Sequence, residues 1–326
     1  MVLKDEDWKI PPEAQPKQTS YRFDLEQALS SVVAIRSRVP ADAFTANILG
    51  TERSGNGTLI DEDGIILTVG YLVTEADEVW ITTNGGLVVA GHVLGIDHTT
   101  GLALVQALGR LDIPVMPLGQ SSKTQVGDRV IIGGAGGLEH SLSAHIVAKQ
   151  EFAGYWEYVL DEAIFTAPAH PDWGGTAMID ATGHLLGIGS LQVPHQVHGE
   201  QVLQLNMIVP IDLLEPIYAD LRMFGQPDRP QRPWLGLFAA EDHDRIVVIG
   251  FAGNGPAKRA GLNEGDSILA VAGHPVSTLV DLFRHIWALG TAGCDVPLTL
   301  EREGDVFDVH ITSADRNRYL KTASIH

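Results

Sequence analysis

The chain has 326 residues, and its 41 acidic against 22 basic side chains give a formal charge of −19. That excess repels phosphate backbones and anionic lipid, which counts against nucleic-acid and membrane-surface binding. With 44% apolar and 19% charged residues the chain folds around a sizeable core, of about two or three domains, and its single cysteine, Cys294, excludes an intrachain disulfide and a thiolate zinc site.

The first thirty residues, "MVLKDEDWKIPPEAQPKQTSYRFDLEQALS", carry early acids, adjacent prolines and no apolar stretch of signal-peptide type. They read as the start of a cytoplasmic protein; a periplasmic or exported one with a trimmed start is the alternative. No apolar run is long enough for a membrane-spanning helix. Residues 1–23 form a polar, Pro-rich arm. From 24 the run "DLEQALSSVVAIRSR" predicts a short helix capped by Asp24, then a strand through Val32, Val33 and Ile35. Short β-type runs follow, among them "GTLIDEDGIILTVG", "EVWITTNGGLVVAGHVLGID", "DRVIIGG", "YVLDEAIFTA" and "QLNMIVP". The turns "DEDG", "TNGG" and "DATG" supply the Gly and Asn that hairpins need. About a dozen strands without intervening helices point to all-β barrels or sandwiches. A helix is predicted over "PIDLLEPIYADLRMFG", with Pro210 in its first turn and Gly225 past its end. "QPDRPQRP", residues 226–233, reads as a stiff linker. Beyond it, 234–316 is a small domain of strands and one helix, in which Leu279, Leu282, Phe283, Ile286 and Leu289 share a face. Residues 317–326 are a polar tail.

Five blocks stand in a familiar order: "SVVAIR", "GNGTLIDEDGIILT", "GIDHTTGLALVQ", "IPVMPLGQSSKTQVGDRVIIGG" and "HPDWGGTAMIDATGHLLGIGS". Together they resemble the HtrA/Deg family of serine proteases. The resemblance implies a mainly β fold, a trypsin-like double β-barrel (24–225) followed by a PDZ domain (234–316) of α+β type. It also implies a possible homotrimer, to which the aromatics Trp8, Tyr21 and Phe23 would contribute packing.

In that family the general base lies in T-N-x-H-V-V, the orienting aspartate precedes L-A-L-L, and the nucleophile precedes Gly-Gly. The matching positions here are Tyr71, Gly101 and Trp173. A phenol with a reference pKa near ~10 is a poor base at neutral pH. Glycine orients nothing, and indole offers only an N–H donor. The oxyanion position two before Trp173 is Pro171, which has no N–H. The expectation is therefore a non-enzyme, a pseudoprotease. One alternative is a serine-type hydrolase with relocated groups drawn from His98, His170, Asp172, Ser141 and Ser143; the other is a purely structural subunit. Tyr71 and Trp173 either plug the old cleft or line an aromatic pocket in it.

No cofactor and no metal is expected. His195 and His198 form an H-x-x-H, and His140 and His145 lie near one another in sequence, but neither set supplies the three or four converging ligands zinc takes. "GGAGG", 133–137, lacks the Gly-Lys-Ser/Thr of a phosphate loop. The functional expectation falls on the PDZ-like unit. Trp234, Leu235, Gly236 and Leu237 resemble the loop whose backbone N–H groups hold a peptide's terminal carboxylate, with Leu282 and His285 as walls on the facing helix. The partner expected there is a peptide or protein C-terminus.

Overall fold

Strands form where short alternating or wholly apolar runs lie between turns. The computed structural model describes residues 8–196 and 202–321. Helix α1 (Leu25–Ser30) starts where Asp24 accepts the N–H of Gln27 at 3.0 Å, and it buries Leu25 and Leu29. Strand β1 (Val32–Arg38) then turns Ile35 and Ser37 inward and Arg36 and Arg38 outward. A short α2 (Ala46–Leu49) leads to β2 (Glu52–Asp61), β3 (Ile65–Val69), β4 (Glu78–Thr82), β5 (Val88–Ile96) and β6 (Leu102–Ala107). These six close into a barrel in the order β1-β2-β3-β6-β5-β4.

A second barrel is built from β7 (Arg129–Gly133), β8 (Ser141–Gly154), β9 (Tyr158–Ala167), β10 (Ala177–Ile179), β11 (Leu185–Gln196) and β12 (Val202–Pro210), in the order β10-β11-β12-β9-β8-β7. Hydrophobic residues from both barrels form one continuous core that includes Val33, Ile66, Leu104, Ile131 and Val209. The long β8–β9 hairpin projects from the second barrel. Its last rungs pair Ala153 with Val159 and Gly154 with Tyr158, which leaves Tyr155, Trp156 and Glu157 as a three-residue loop.

The helix predicted from Pro210 begins later. Pro210 ends β12, a turn of 3₁₀ helix spans Ile211–Leu213, and α3 (Glu215–Phe224) carries Pro216 in its first turn. Either proline satisfies the rule that a helix start tolerates a missing N–H; the pairing of β12 with β11 claims Pro210 for the sheet. Gly225 stands just past the end of α3, as predicted, and takes the left-handed conformation there.

Residues 226–233 are held at both sides. Arg229 pairs with the buried Asp97 of the first barrel at 2.5 Å, and Gln231 accepts the N–H of Ala292 at 2.8 Å. The last unit is a sheet of β13 (Leu237–Asp242), β14 (Arg245–Phe251), β15 (Ser267–Val271), β17 (Asp295–Arg302) and β18 (Asp305–Thr312) in that spatial order. The two-residue β16 (His274–Pro275) pairs with β15. Between these strands lie α4 (Pro256–Arg259) and α5 (Leu279–Ala288), which buries Leu279, Leu282, Phe283 and Ile286. Strand β13 stands at the sheet edge and α5 packs beside it. Val159, from β9, is buried in the core of this unit, so the two folds share an interior.

The N-terminal aromatics are engaged within the chain. Trp8 meets His140 and His170 edge-on at 4.7 and 5.7 Å, and Tyr21 lies 5.4 Å from Phe23. His198 and the first and last few residues lie outside the described residues.

Thr278 caps α5 by accepting the N–H of Asp281 at 3.0 Å. Thr278→Ala is expected to cost about 1 kcal/mol, read as a lowered urea midpoint; an unchanged midpoint would show that the cap contributes nothing.

Candidate functional site

The cleft between the barrels is assembled by one asparagine. Asn56, 2% exposed on β2, donates from Nδ2 to the carbonyls of Asp172 (3.1 Å) and Gly174 (3.0 Å), and its Oδ1 accepts the N–H of Ala135 at 2.8 Å. Its own N–H also donates to Gly174 O at 2.8 Å. A first-barrel side chain thus fixes both the 170–176 loop and the "GGAGG" loop of the second barrel. Gly175, at φ +78°, sits so close that a Cβ there would lie 1.8 Å from Asn56 O. This is the physical reason for the second glycine of the Gly-Gly pair.

Tyr71 lies in the turn after β3, and its phenol crosses the cleft to donate to Ser190 O of β11 at 2.9 Å. Burial, and then the nearby Asp172, push that phenol above its usual range, so it stays neutral. A Cβ on Gly174 would come within 2.6 Å of the same hydroxyl. Gly101 takes φ +79° beneath Tyr158, whose hydroxyl donates to Thr100 O at 2.7 Å. Asp97 shapes this turn by accepting the N–H groups of Thr99 and Thr100, both at 3.1 Å. Trp173 is half-buried, and its carbonyl accepts the N–H and the hydroxyl of Thr176 at 3.2 and 2.9 Å. Pro171 is exposed. These positions therefore bring together a phenol, a bare backbone turn and an indole.

Of the residues considered for a relocated site, His170 and Asp172 meet in one loop, Ser141 follows the His140 whose carbonyl His170 contacts, and His98 lies elsewhere. His170 is buried, with Nδ1 accepting the N–H of Asp172 at 3.1 Å and Nε2 3.0 Å from His140 O. That pairing fixes the proton on Nε2. Ser141 donates to Gly137 O at 2.8 Å, and the Ser143 N–H donates to Ala14 O at 2.8 Å. His98 faces a small cavity shared with Glu157, Trp234 and Arg316, where burial, and then the Arg316 charge, push it down to about 3.

The second locus is the loop before β13. The N–H groups of Leu235, Gly236 and Leu237 converge on one carboxylate, at 3.1, 2.7 and 3.2 Å. The carboxylate is that of Glu157, at the tip of the β8–β9 hairpin. Gly236 takes φ +70°, and a Cβ there would strike the Trp234 ring at 2.9 Å, so only glycine turns these amides inward. Trp234 is itself an anchor, packed 4.9 Å from Tyr319 and 6.0 Å from Phe44. Of the two helix positions, Leu282 lies fully in the domain core, and His285 stacks on His274 at 5.2 Å. The α5 side chains turned towards the hairpin are Arg284, paired with Glu151 and with Asp161 (2.8 Å), and Trp287, which shares a cavity wall with Val159.

Glu157 was invisible to motif reading. Its one local signal is conformational: it occupies the third position of a three-residue hairpin loop at φ +61°, where glycine is usual. Burial pushes its carboxyl up to about 7, against the pull of the three amide donors and of Arg316. Asn56 was also missed, although it stands where the family's G-S-G block has serine.

Residues 55–188 match the family of the trypsin-like peptidase domain, and residues 233–312 match the PDZ domain. The chain is 27% identical over 271 residues to a probable periplasmic serine endoprotease DegP-like of Pseudomonas fluorescens, covering 79% of this chain and 55% of that protein. It is 29% identical over 262 residues to the putative serine protease HhoA of Synechocystis, covering 72% and 64%. The chain spans little more than half the length of the DegP-like relatives of Pseudomonas fluorescens, Halomonas elongata and Pseudomonas putida, at 55, 56 and 55%. Among solved structures, the HtrA-type protease AlgW with decapeptide superposes with a TM-score of 0.52 at 20% identity, covering 90% of this chain and 99% of that one. The serine endoprotease from Yersinia pestis gives 0.50 at 22%, covering 90% and 98%. The architecture is that of the HtrA/DegP type, mainly β, a trypsin-like unit followed by a PDZ domain.

Two expectations are corrected by these relatives. The reading of a non-enzyme rested on Tyr71, Gly101, Trp173 and the oxyanion position Pro171, taken position by position. The relatives are named as serine endoproteases or, for HhoA, a putative serine protease, which points to an enzyme, and nothing among them indicates that activity has been lost. The reading of a cytoplasmic protein rested on the polar start of the chain. The DegP-like relatives are named periplasmic, which points to a periplasmic or exported protein.

Gly175→Ala is expected to destabilise the protein by about 2–4 kcal/mol, from left-handed strain plus the clash with Asn56 O; a melting temperature equal to wild type would refute the close approach. For Glu157 the folded value of about 7 lies above its ordinary ~4.3. A raised carboxyl contributes stability that is complete below the ordinary value and lost as pH rises through about 7. A ¹³C-detected titration of the Glu157 carboxyl should give a midpoint near 7, and a midpoint in the ordinary range would show that the group is solvated.

Proposed function

We propose that this chain is a peptide-handling protein of the HtrA/DegP serine-endoprotease type that selects substrates or partners by their C-terminal carboxylate at the PDZ unit. The observation that carries the reading is the convergence of the Leu235, Gly236 and Leu237 amides on a single carboxylate. Three backbone donors aimed at one point form an anion site. The geometry beside it fits a peptide, because β13 is an edge strand and α5 forms the opposite wall. A peptide laid along β13 extends the sheet through main-chain bonds, while its terminal carboxylate reaches the loop. The decapeptide in the AlgW structure's name belongs to that protein, and it lends support to peptide recognition as the class of function.

Peptide-bond hydrolysis is the activity to which the relatives' names point, and it is the second reading. Two titratable groups at the cleft loop are the Tyr71 phenol and Asp172, whose charge acts on it. A homotrimer, in the manner the resemblance implies, would show three times 35.1 kDa by light scattering.

Fluorescein-labelled peptides with a free C-terminus are expected to bind the full chain, and C-terminally amidated copies to bind at least ten-fold more weakly; equal binding of the two would sink the carboxylate reading. Hydrolysis is checked with labelled casein. Release above buffer that Tyr71→Phe or Asp172→Asn lowers at least ten-fold assigns it to this cleft, and release at the buffer rate overturns that second reading.

A further inference from the structure

The loop that would receive a ligand's carboxylate already holds one. We infer that the PDZ groove of this protein is closed in cis by its own β8–β9 hairpin, with the Glu157 side chain seated as a surrogate for a peptide's terminal carboxylate. An incoming C-terminal peptide would then enter only by displacing the hairpin. The inference rests on the carboxylate-recognition reading above and adds its occupant and its regulation.

Four observations converge. The first is the anion contact, in which Leu235, Gly236 and Leu237 all donate to Glu157. The second is register. Ala239, two residues beyond Leu237, donates its N–H to the carbonyl of Tyr155, two residues before Glu157, at 3.0 Å. The hairpin tip thus follows the edge of β13 as an added strand does, in step with the carboxylate contact. The third is packing. Tyr155 meets Phe238 of β13 edge-on at 5.5 Å, Val159 is buried in the PDZ core, and Arg284 of α5 is paired with Glu151 and Asp161 on the two flanks of the hairpin. The tip therefore lies along β13, and its flanks are tied to α5. The fourth is local strain. A glutamate at φ +61° stands where a hairpin loop favours glycine, and a side chain kept there at that cost has a contact that offsets it.

A contact within one chain competes with free ligand at a high effective concentration. A peptide therefore binds with an apparent affinity reduced by the small fraction of molecules whose hairpin is undocked. The recognition site is complete and hidden at once.

The test uses the full chain in three forms: wild type, Glu157→Gln, and Glu157→Gly. The glycine variant removes the carboxylate while relieving the backbone, so the loop keeps its turn. The probe is a fluorescein-labelled decapeptide pool randomised over its last four residues, with an amidated pool as control. Binding is read by anisotropy, and protection of the 235–239 amides by hydrogen exchange. The expected result is at least ten-fold tighter binding of the free-carboxylate pool by both variants than by wild type, with faster exchange over 235–239. Equal affinity in all three forms overturns the inference and leaves the carboxylate reading standing. Faster exchange in the variants with no binding to either pool supports the docked hairpin and removes the peptide as its competitor. Unchanged exchange with no binding overturns both.

Discussion

A carboxylate withdrawn from water has to be met by donors or expelled, and at Glu157 the donors belong to a different unit of the chain. Three amides of the loop before β13 supply them, with the charge of Arg316 close by. These donors offset only part of the cost of burial, which leaves the carboxyl raised, and they tie the PDZ unit to the second barrel. Val159 then enters the PDZ core, and the segment between the units is drawn taut from Asp97 to Ala292 through Arg229 and Gln231. The segment's prolines limit its freedom, but its course follows from what is anchored at either end.

The inter-barrel cleft obeys the same rule with neutral groups. Loops rich in glycine expose carbonyls that a packed interface cannot leave unmet. Asn56 meets those of Asp172 and Gly174, and Tyr71 meets that of Ser190. Both side chains reach from the first barrel into the second. The barrels are therefore joined by directed polar contacts as well as by their common core, and changes at Asn56 or Tyr71 act on the loop geometry of the partner barrel.

Much of the fold was legible. Alternation in "VVAIRSR" gave β1 its inward and outward faces, Asp24 capped α1, and the spacing of Leu279, Leu282, Phe283 and Ile286 placed the buried face of α5. These are local rules, set by neighbours a few residues apart. Pro210 was assigned to the wrong element because the competing claim on it, pairing with β11, comes from across the sheet. Reading chemistry from Tyr71, Gly101, Trp173 and Pro171 position by position led to a non-enzyme, which the names of the relatives do not support. A list of residues at those positions omits the groups that surround them, and fold and function are separable.

The sequence by itself determined the succession of elements and the division into two units, because hydrophobic period, turn residues and glycine placement act over short spans; the loop from Trp234 to Leu237 was picked out by its resemblance to the family. Only the tertiary structure decided what that loop holds. Glu157 and Leu235 are far apart along the chain, and nothing in either segment specifies the other. Their meeting depends on how a barrel hairpin and a sheet edge dock, where burial of apolar surface brings the elements together and the unmet amides select the carboxylate.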